Sequence, residues 1–166
     1  MKNNFEELVK RDTYQVFLFR CKAHFPFNFS DHLWFVVNRK GEILRYEVLH
    51  KKNCDSNMSC SYLHKNYHTP FEGINVFNFL KKFSWQSQLL HVIEGEDGSL
   101  AHEMVDFIMK SRENYPYGSN YSLFGPNCVT YVQWVLNNFP GFKFKLRNYI
   151  GKDFGVYKNR FSNKSY

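Results

Sequence analysis

The sequence predicts an α+β fold in which an antiparallel sheet packs on a helix that carries a cysteine. In the first third of the chain, β-rich runs flank the turn sequence Asn38-Arg39-Lys40-Gly41, which is typical of a β-hairpin. From Cys128 onward, apolar residues recur with helical spacing. A chain of 166 residues, 43% of them hydrophobic, is long enough for one core and too short for two ordinary domains. We therefore expect a single domain over residues 1–166.

Three strands are expected first along the chain. Residues 14–21 form an apolar, β-rich run that is typical of a buried strand. Residues 32–37 form a second run, and residues 43–49 alternate apolar and polar side chains. Because the turn sequence separates these last two runs, we expect them to pair as an antiparallel hairpin.

The middle of the chain is harder to interpret. Residues 50–70 are polar and have no sustained period, which favours a long surface excursion. Weak helical spacing over 71–83 and a β-rich run over 88–94 follow.

A helix is expected next, from a cap at Ser99 until Pro116. Its apolar face comprises Leu100, Met104, Phe107 and Ile108. The helix that begins near Cys128 is expected to end at Pro140, and the basic tail at 155–166 to be flexible.

Composition excludes several classes of protein. Lysine and arginine exceed the acidic residues by 22 to 15, but they are mixed with acids over most of the chain, which favours a solvated surface over a nucleic-acid site. No run approaches the roughly 20 apolar residues that a membrane span needs. Residues 1–10 lack the apolar core of a secretory signal, so we expect a cytoplasmic protein with reduced thiols, while a non-classical export route stays open. No cofactor is predicted, and the oligomeric state is not specified.

Cys128 is the first candidate for chemistry. It follows the turn residues Gly125-Pro126-Asn127 and stands on the first turn of the predicted helix. Unpaired amides and the positive end of the helix dipole favour a thiolate there, the nucleophilic form of cysteine. The alternative is a small buried hydrophobic residue.

A nucleophilic cysteine needs a base and a group that orients the base. His32 opens the second strand, and the register of the predicted hairpin places its partner within about two residues of Glu47. We therefore predict a Cys128, His32 and Glu47 site. Taken singly, His32 and Glu47 are each more typical of solvated strand residues, so the prediction depends on their occurring together with Cys128.

The order of these residues resembles the circularly permuted NlpC-type papain-like fold, to which lecithin retinol acyltransferase-like enzymes belong. The likeness is closest to an uncharacterised bacterial family with a series of short motifs. This chain has them as Tyr115-Pro116-Tyr117, Gly125-Pro126-Asn127, Thr130-Tyr131-Val132 and Ile150-Gly151-Lys152-Asp153. The resemblance implies a papain-like domain, and it leaves the roles of Asn127, Lys152 and Asp153 open.

The resemblance also implies acyl transfer. Cys128 attacks a carbonyl, His32 moves the proton, Glu47 holds the imidazole, and the Cys128 amide binds the oxyanion with help from Tyr117 or Tyr121. The expected protein is a cysteine hydrolase or acyltransferase acting on an amide, ester or thioester. Its substrate is left open between a peptide, an isopeptide, peptidoglycan and an acyl lipid.

Two other functions are compatible with the sequence. Cys54, Cys60, His64 and His68 lie in one short stretch and carry side chains that bind zinc. The C-terminal segment interleaves lysine and arginine with aromatic residues, which is compatible with a non-catalytic module that binds an acidic partner or nucleic acid.

Overall fold

A five-stranded antiparallel sheet forms the frame of this computed structural model, which describes residues 4–54, 60–77, 80–147 and 149–154, with backbone alone for 80–82. The strands are β1 (Tyr14–Lys22), β2 (Asp31–Arg39), β3 (Glu42–Cys54), β4 (Cys60–Lys65), β5 (Asn75–Phe77), β6 (Leu80–Ser84) and β7 (Gln88–Gly95). The helices are α1 (Leu100–Met109), α2 (Ser111–Asn114) and α3 (Cys128–Asn138), after a short 3₁₀ turn at Phe5–Leu8. The sheet order is β4-β3-β2-β1-β7, and β5 pairs with β6 separately.

The predicted hairpin is confirmed as β2 and β3. Arg39 pairs with Glu42 across a two-residue turn, in which Lys40 and Gly41 have φ of 49° and 98°. Positive φ at both central residues gives the turn a twist that matches the twist of the two paired strands. The α+β class with an antiparallel sheet is therefore confirmed.

The two faces of the sheet have separate cores. On one face, alternate residues of β1 and β2 such as Leu18 and Phe35 pack with Met104 of α1 and Val132 of α3. The cysteine-bearing helix thus lies on the sheet, as predicted. The other face buries Phe17, Phe19, Cys21, Trp34, Val36 and Ile74.

Other predicted elements need correction. The described part of 50–70 is not one long irregular loop: β3 continues to Cys54, β4 covers Cys60–Lys65, and Leu63 is buried. The spacing over 71–83 is not helical, because strands β5 and β6 lie there. The Ser99 cap is confirmed by its hydrogen bond with the amide of His102, although the helical stretch before Pro116 is divided into α1 and α2 at Lys110. The predicted flexible tail at 155–166 lies outside the described residues.

Two of the four cysteines are joined, so the expectation of reduced thiols is wrong for them. Cys54 and Cys60 face each other as partners in the β3–β4 ladder and form a disulfide. Cys21, which is buried, and Cys128, which is partly buried, are free. Within the described part of the chain, every helix is too short or too polar to cross a membrane.

Candidate active site

The turn before Cys128 is shaped by its neighbour Asn127. The Asn127 side chain accepts hydrogen bonds from the amides of Val129 at 2.9 Å and Thr130 at 3.2 Å, and the Thr130 hydroxyl accepts one from the Asn127 amide. This reciprocal cap makes Cys128 the first residue of α3. In the described part of the chain the Cys128 amide has no hydrogen-bond acceptor, so it is free to bind a ligand oxygen.

The Ile150-Gly151-Lys152-Asp153 motif closes over this turn. Asn127 Nδ2 donates to the carbonyl of Ile150 at 3.1 Å, and the Thr130 hydroxyl donates to that of Gly151 at 2.8 Å. Gly151 has φ of 91°, and a Cβ there would lie 2.4 Å from the Asn127 amide group. The Phe154 ring packs on Gly125, where a Cβ would lie 2.8 Å from the ring. The two motifs therefore form one unit, which we call the clasp: Gly125–Asn127 with Ile150–Phe154.

The thiol of Cys128 lies where α3 meets the end of β2. Its Sγ is 3.9 Å from the carbonyl oxygen of Asp31, and the next residue along β2 is His32. His32 is buried, it lines the same cleft as Cys128, and the Cys128 side chain is close enough to raise the pKa of its imidazole. The structure thus brings the predicted cysteine and histidine together.

Glu47 holds the other side of the His32 ring. Nε2 of His32 donates to Oε2 of Glu47 at 2.8 Å, which leaves Nδ1 as the ring nitrogen for Cys128. The last pair of the β2–β3 ladder is Phe35 with Tyr46, so continuing the register places His32 opposite Leu49 and diagonal to Glu47. The predicted offset of two residues is therefore correct.

Glu47 is fully buried and has two further partners. Arg45, two residues earlier on β3, donates from Nη2 to Oε2 at 2.8 Å, and Nδ1 of His68 donates to Oε1 at 2.9 Å. The Arg45 guanidinium is also fully buried, and it lies 4.1 Å from the centre of the Trp34 ring. A buried carboxylate is stable only with such partners.

Electrostatics favour a charged pair here. Burial alone raises the pKa of Glu47, but Arg45 and the two imidazoles outweigh it and hold that pKa well below its usual range. Burial likewise lowers the pKa of His32, yet Cys128 and Glu47 together raise it to about 9. These shifts favour an ionised Glu47 and a protonated His32 at neutral pH.

A cleft of about 270 Å³ opens onto this site, and we call it the Cys128 cleft. Its sheet-side wall comes from the strand ends and the loop after β1, and its helix-side wall from the loops around the start of α3. Sheet-side residues include His24, His32, Leu49 and His50; helix-side residues include Tyr121, Leu123, Asn127, Cys128 and Ile150. Ile150 therefore links the clasp to the cleft, whereas Lys152 and Asp153 do not line it.

The two tyrosines proposed as oxyanion donors differ in position. Tyr121 lines the cleft beside Cys128; burial first, and then Cys128, raises the pKa of Tyr121 to about 12, so its hydroxyl keeps a proton to donate. Tyr117 does not line the cleft, and its ring packs on those of Tyr115 and Phe154.

The zinc site is contradicted by the structure. Cys54 and Cys60 are consumed in the disulfide, which removes their thiolates. His64 donates from Nε2 to the carbonyl of Lys51 at 2.6 Å, and His68 is bound to Glu47. No group of three or more histidine, cysteine or acidic side chains in the described ranges has the arrangement of metal ligands.

The basic aromatic segment gains little support as a nucleic-acid surface. Phe142 is buried in the core, and the ring of His91 packs against both Phe142 and Phe144. These rings are therefore engaged inside the protein and unavailable for base stacking. Lys158, Arg160 and Lys164 lie outside the described residues.

Sequence reasoning missed Arg45 and His68. Arg45 had a usable signal, because residues two apart on a strand share a face and a buried Glu47 needs a cation. His68 had none: it follows β4 in a loop that reaches Glu47 only through the tertiary fold.

Comparison with known proteins gives a family but no function. Residues 13–154 match the model of a family described as "Protein of unknown function (DUF3750)". The chain matches no curated protein and no solved structure.

Proposed function

The chain belongs to the DUF3750 family, a family of unknown function, and we propose that this chain is a cysteine hydrolase or acyltransferase. One observation carries the proposal: the buried His32 has a carboxylate on Nε2 and lines the same open cleft as the thiol of Cys128, which stands on the first turn of a helix. A nucleophile, a base and the group that orients the base are thus brought together at one cleft.

We also propose that the fold is of the permuted NlpC-type papain-like class. The supporting features are the chain order His32, Glu47, Cys128 and the packing of the cysteine helix on an antiparallel sheet. Fold analogy supports the reaction class and does not specify a substrate.

The reaction begins with attack of the Cys128 thiolate on the carbonyl carbon of an amide, ester or thioester. The carbonyl electrons move to oxygen, and the tetrahedral intermediate collapses as protonated His32 gives its proton to the leaving group. A thioester on Cys128 remains. Water or an acceptor then attacks it, His32 takes the attacking group's proton, and the thiolate is released. Glu47 stays ionised throughout and stabilises the imidazolium.

Charge that develops on the carbonyl oxygen requires donors. The free amide of Cys128 at the start of α3 is one, and the helix dipole adds to it. The protonated Tyr121 hydroxyl, in the same cleft, is the second donor in this proposal.

The test is site-resolved alkylation by iodoacetamide, read by mass spectrometry between about pH 5 and pH 9. Only Cys21 and Cys128 are free, and burial raises the pKa of Cys21 to about 12, so Cys21 is an internal reference for an inert thiol. We expect Cys128 to react at least about 100-fold faster than Cys21. His32→Ala should remove most of this advantage.

A histidine outside the site controls for the substitution itself. His91→Ala on β7 removes an imidazole that contacts Phe142 and Phe144, and it should leave the Cys128 rate unchanged. Equal, slow alkylation of Cys21 and Cys128 in the folded wild type would overturn the proposal.

A further inference from the structure

A second cleft, of about 520 Å³, adjoins the Cys128 cleft. It is lined by His24, Leu49, His50, Lys51, Tyr67, His68, Thr69 and Asn75. Three of these residues, His24, Leu49 and His50, also line the Cys128 cleft, so the two spaces share a wall. His68 belongs to the second cleft and binds the same Glu47 that orients His32.

The lining of the second cleft favours an anion. It contains three imidazoles, one lysine, a phenol and two neutral polar side chains, and no acidic residue. Burial lowers the pKa of His24 to about 4 and also lowers the pKa of His50, so at neutral pH the positive charge of this lining comes mainly from Lys51. Two carboxylates lie next to this lining without belonging to it. Glu47 is fully buried behind His68 and Arg45, and Glu72 accepts a hydrogen bond from the Thr69 hydroxyl at 2.8 Å. Lys51 has no ion-pair partner among the described residues, so its ammonium is available to a ligand. The net charge of +7 would assist the approach of an anion.

The chemistry of acyl transfer decides which part of a substrate reaches the second cleft. The leaving group must take its proton from His32, which belongs to the sheet-side wall. The acyl carbon must lie at Cys128, and its oxygen near the Cys128 amide and Tyr121 on the helix side. A leaving group that extends beyond His32 along the sheet side therefore reaches His24 and His50, the residues that border the second cleft.

We infer that the second cleft is the leaving-group subsite and that it binds an anionic group, a carboxylate or a phosphate. The inference rests on the proposed function and deepens it: the substrate is an amide, ester or thioester whose departing part carries negative charge. The ammonium of Lys51 is the principal attractive group, and Tyr67 and Asn75 supply neutral hydrogen-bond donors.

The experiment uses three aryl acetates that release the same nitrophenol bearing a carboxylate, a phosphonate or a neutral carboxamide. We expect wild-type kcat/KM to favour an anionic leaving group over the carboxamide, mainly through KM. Lys51→Ala should reduce that preference by about three- to fivefold, mainly by raising KM for the two anionic acetates. The carboxylate and phosphonate arms identify which anion is preferred.

Lys52→Ala is the matched control, because it removes the same charge one residue away. Lys52 lines neither cleft, and its ammonium lies 5.4 Å from the centre of the Tyr62 ring. It should keep the wild-type preference. If the acetates are hydrolysed in a Cys128-dependent way with no preference, or with equal effects of both lysine variants, the subsite inference is overturned while the proposed function stands.

If the site does not hydrolyse simple acetates, alkylation of Cys128 tests the anion subsite instead. Iodoacetanilides bearing a carboxylate or a carboxamide alkylate cysteine without an acyl step. Faster labelling of Cys128 by the carboxylate reagent, lost in Lys51→Ala and kept in Lys52→Ala, supports the anion subsite. Equal labelling by both reagents overturns it. If Cys128 shows neither hydrolysis nor faster alkylation than Cys21, the proposed function itself fails.

Discussion

Glu47 connects the candidate active site to a network of buried charged side chains. Its two oxygens accept from three cationic or imidazole donors, and the carboxylate is fully buried. A charge in that position is strongly unfavourable alone and is retained only because Arg45, His32 and His68 surround it. The hydrogen bond with Glu47 also orients the His32 ring. One carboxylate therefore contributes both to the stability of the fold and to the proposed reaction.

We predict that Glu47→Gln is damaging in both respects. The amide keeps the shape but removes the negative charge, which leaves Arg45 buried without a counter-ion and should lower the free energy of unfolding by about 3 kcal/mol. Loss of the imidazolium's partner should slow Cys128-dependent hydrolysis by about 100-fold or more. Urea unfolding and acetate hydrolysis measure the two effects.

Glu94→Gln is the control for that substitution. Glu94 is a half-exposed carboxylate on β7 that pairs with Lys10, and its removal should change stability by less than about 1 kcal/mol. Equal losses of unfolding free energy in Glu47→Gln and Glu94→Gln would show that the buried network around Glu47 contributes no more to stability than an exposed ion pair.

His32 makes a second prediction at the residue scale. Its pKa rises from 6.5 to about 9 on folding, so its protonated form is favoured by the folded state. That stabilisation is complete below about pH 6.5 and is lost as the pH rises through about 9. The difference in unfolding free energy between wild type and His32→Gln should therefore shrink by about 3 kcal/mol from pH 6 to pH 10.

Cys128→Ser provides the cross-check on this linkage. Cys128 contributes the largest of the effects that raise the pKa of His32, so the serine variant should show a smaller pH dependence than wild type. A difference between wild type and His32→Gln that stays constant over this range would contradict a raised pKa.

At the scale of elements, the start of α3 is a composite of two distant segments. Asn127 caps the helix with one side-chain atom and holds the Ile150 carbonyl with the other. The clasp therefore fixes both the position of Cys128 and the wall of the cleft at Ile150. This gives the Gly-Pro-Asn and Ile-Gly-Lys-Asp motifs a common structural role, which spacing alone could not show.

We predict that Gly151→Ala disrupts the clasp. The new methyl group would lie 2.4 Å from the Asn127 amide, at a left-handed φ of 91°. Gly98→Ala is the matched control, because Gly98 also has a positive φ, of 77°, but its Cβ would meet no atom within 4 Å. Urea unfolding should show Gly151→Ala less stable than Gly98→Ala by a further 1–3 kcal/mol, approximately. Only Gly151→Ala should slow alkylation of Cys128, and equal effects of the two would contradict a role for the clasp.

How far the sequence predicts these elements depends on how local their signals are. The β2–β3 hairpin follows from alternation and turn chemistry, and the offset between His32 and Glu47 follows from its register. Strand β4 was missed because its neighbourhood is rich in serine, histidine and asparagine, so burial of Leu63 and His64 depends on what packs over them. The contact between His68 and Glu47 is likewise tertiary.

At the scale of the whole molecule, the site joins the two sides of the sheet. Cys128 comes with α3 from the face that packs on the helices, whereas His32 stacks on Trp34 of the opposite core. The two meet at the end of β2, where Cys128 approaches Asp31. The reactive pair therefore requires the helix layer, the sheet and the opposite core to be assembled together.

The disulfide offers a way to separate global stability from the site. Cys54 at the end of β3 and Cys60 at the start of β4 are joined by this bond, and they line neither cleft. A covalent link restricts the whole unfolded chain, so replacing both residues by serine should lower the free energy of unfolding by about 2 kcal/mol. The alkylation rate of Cys128 relative to Cys21 should be unchanged wherever the variant stays folded. A slower Cys128 in the folded double variant would show that the hairpin end shapes the site, and that the assembly of helix, sheet and opposite core is not sufficient to form it.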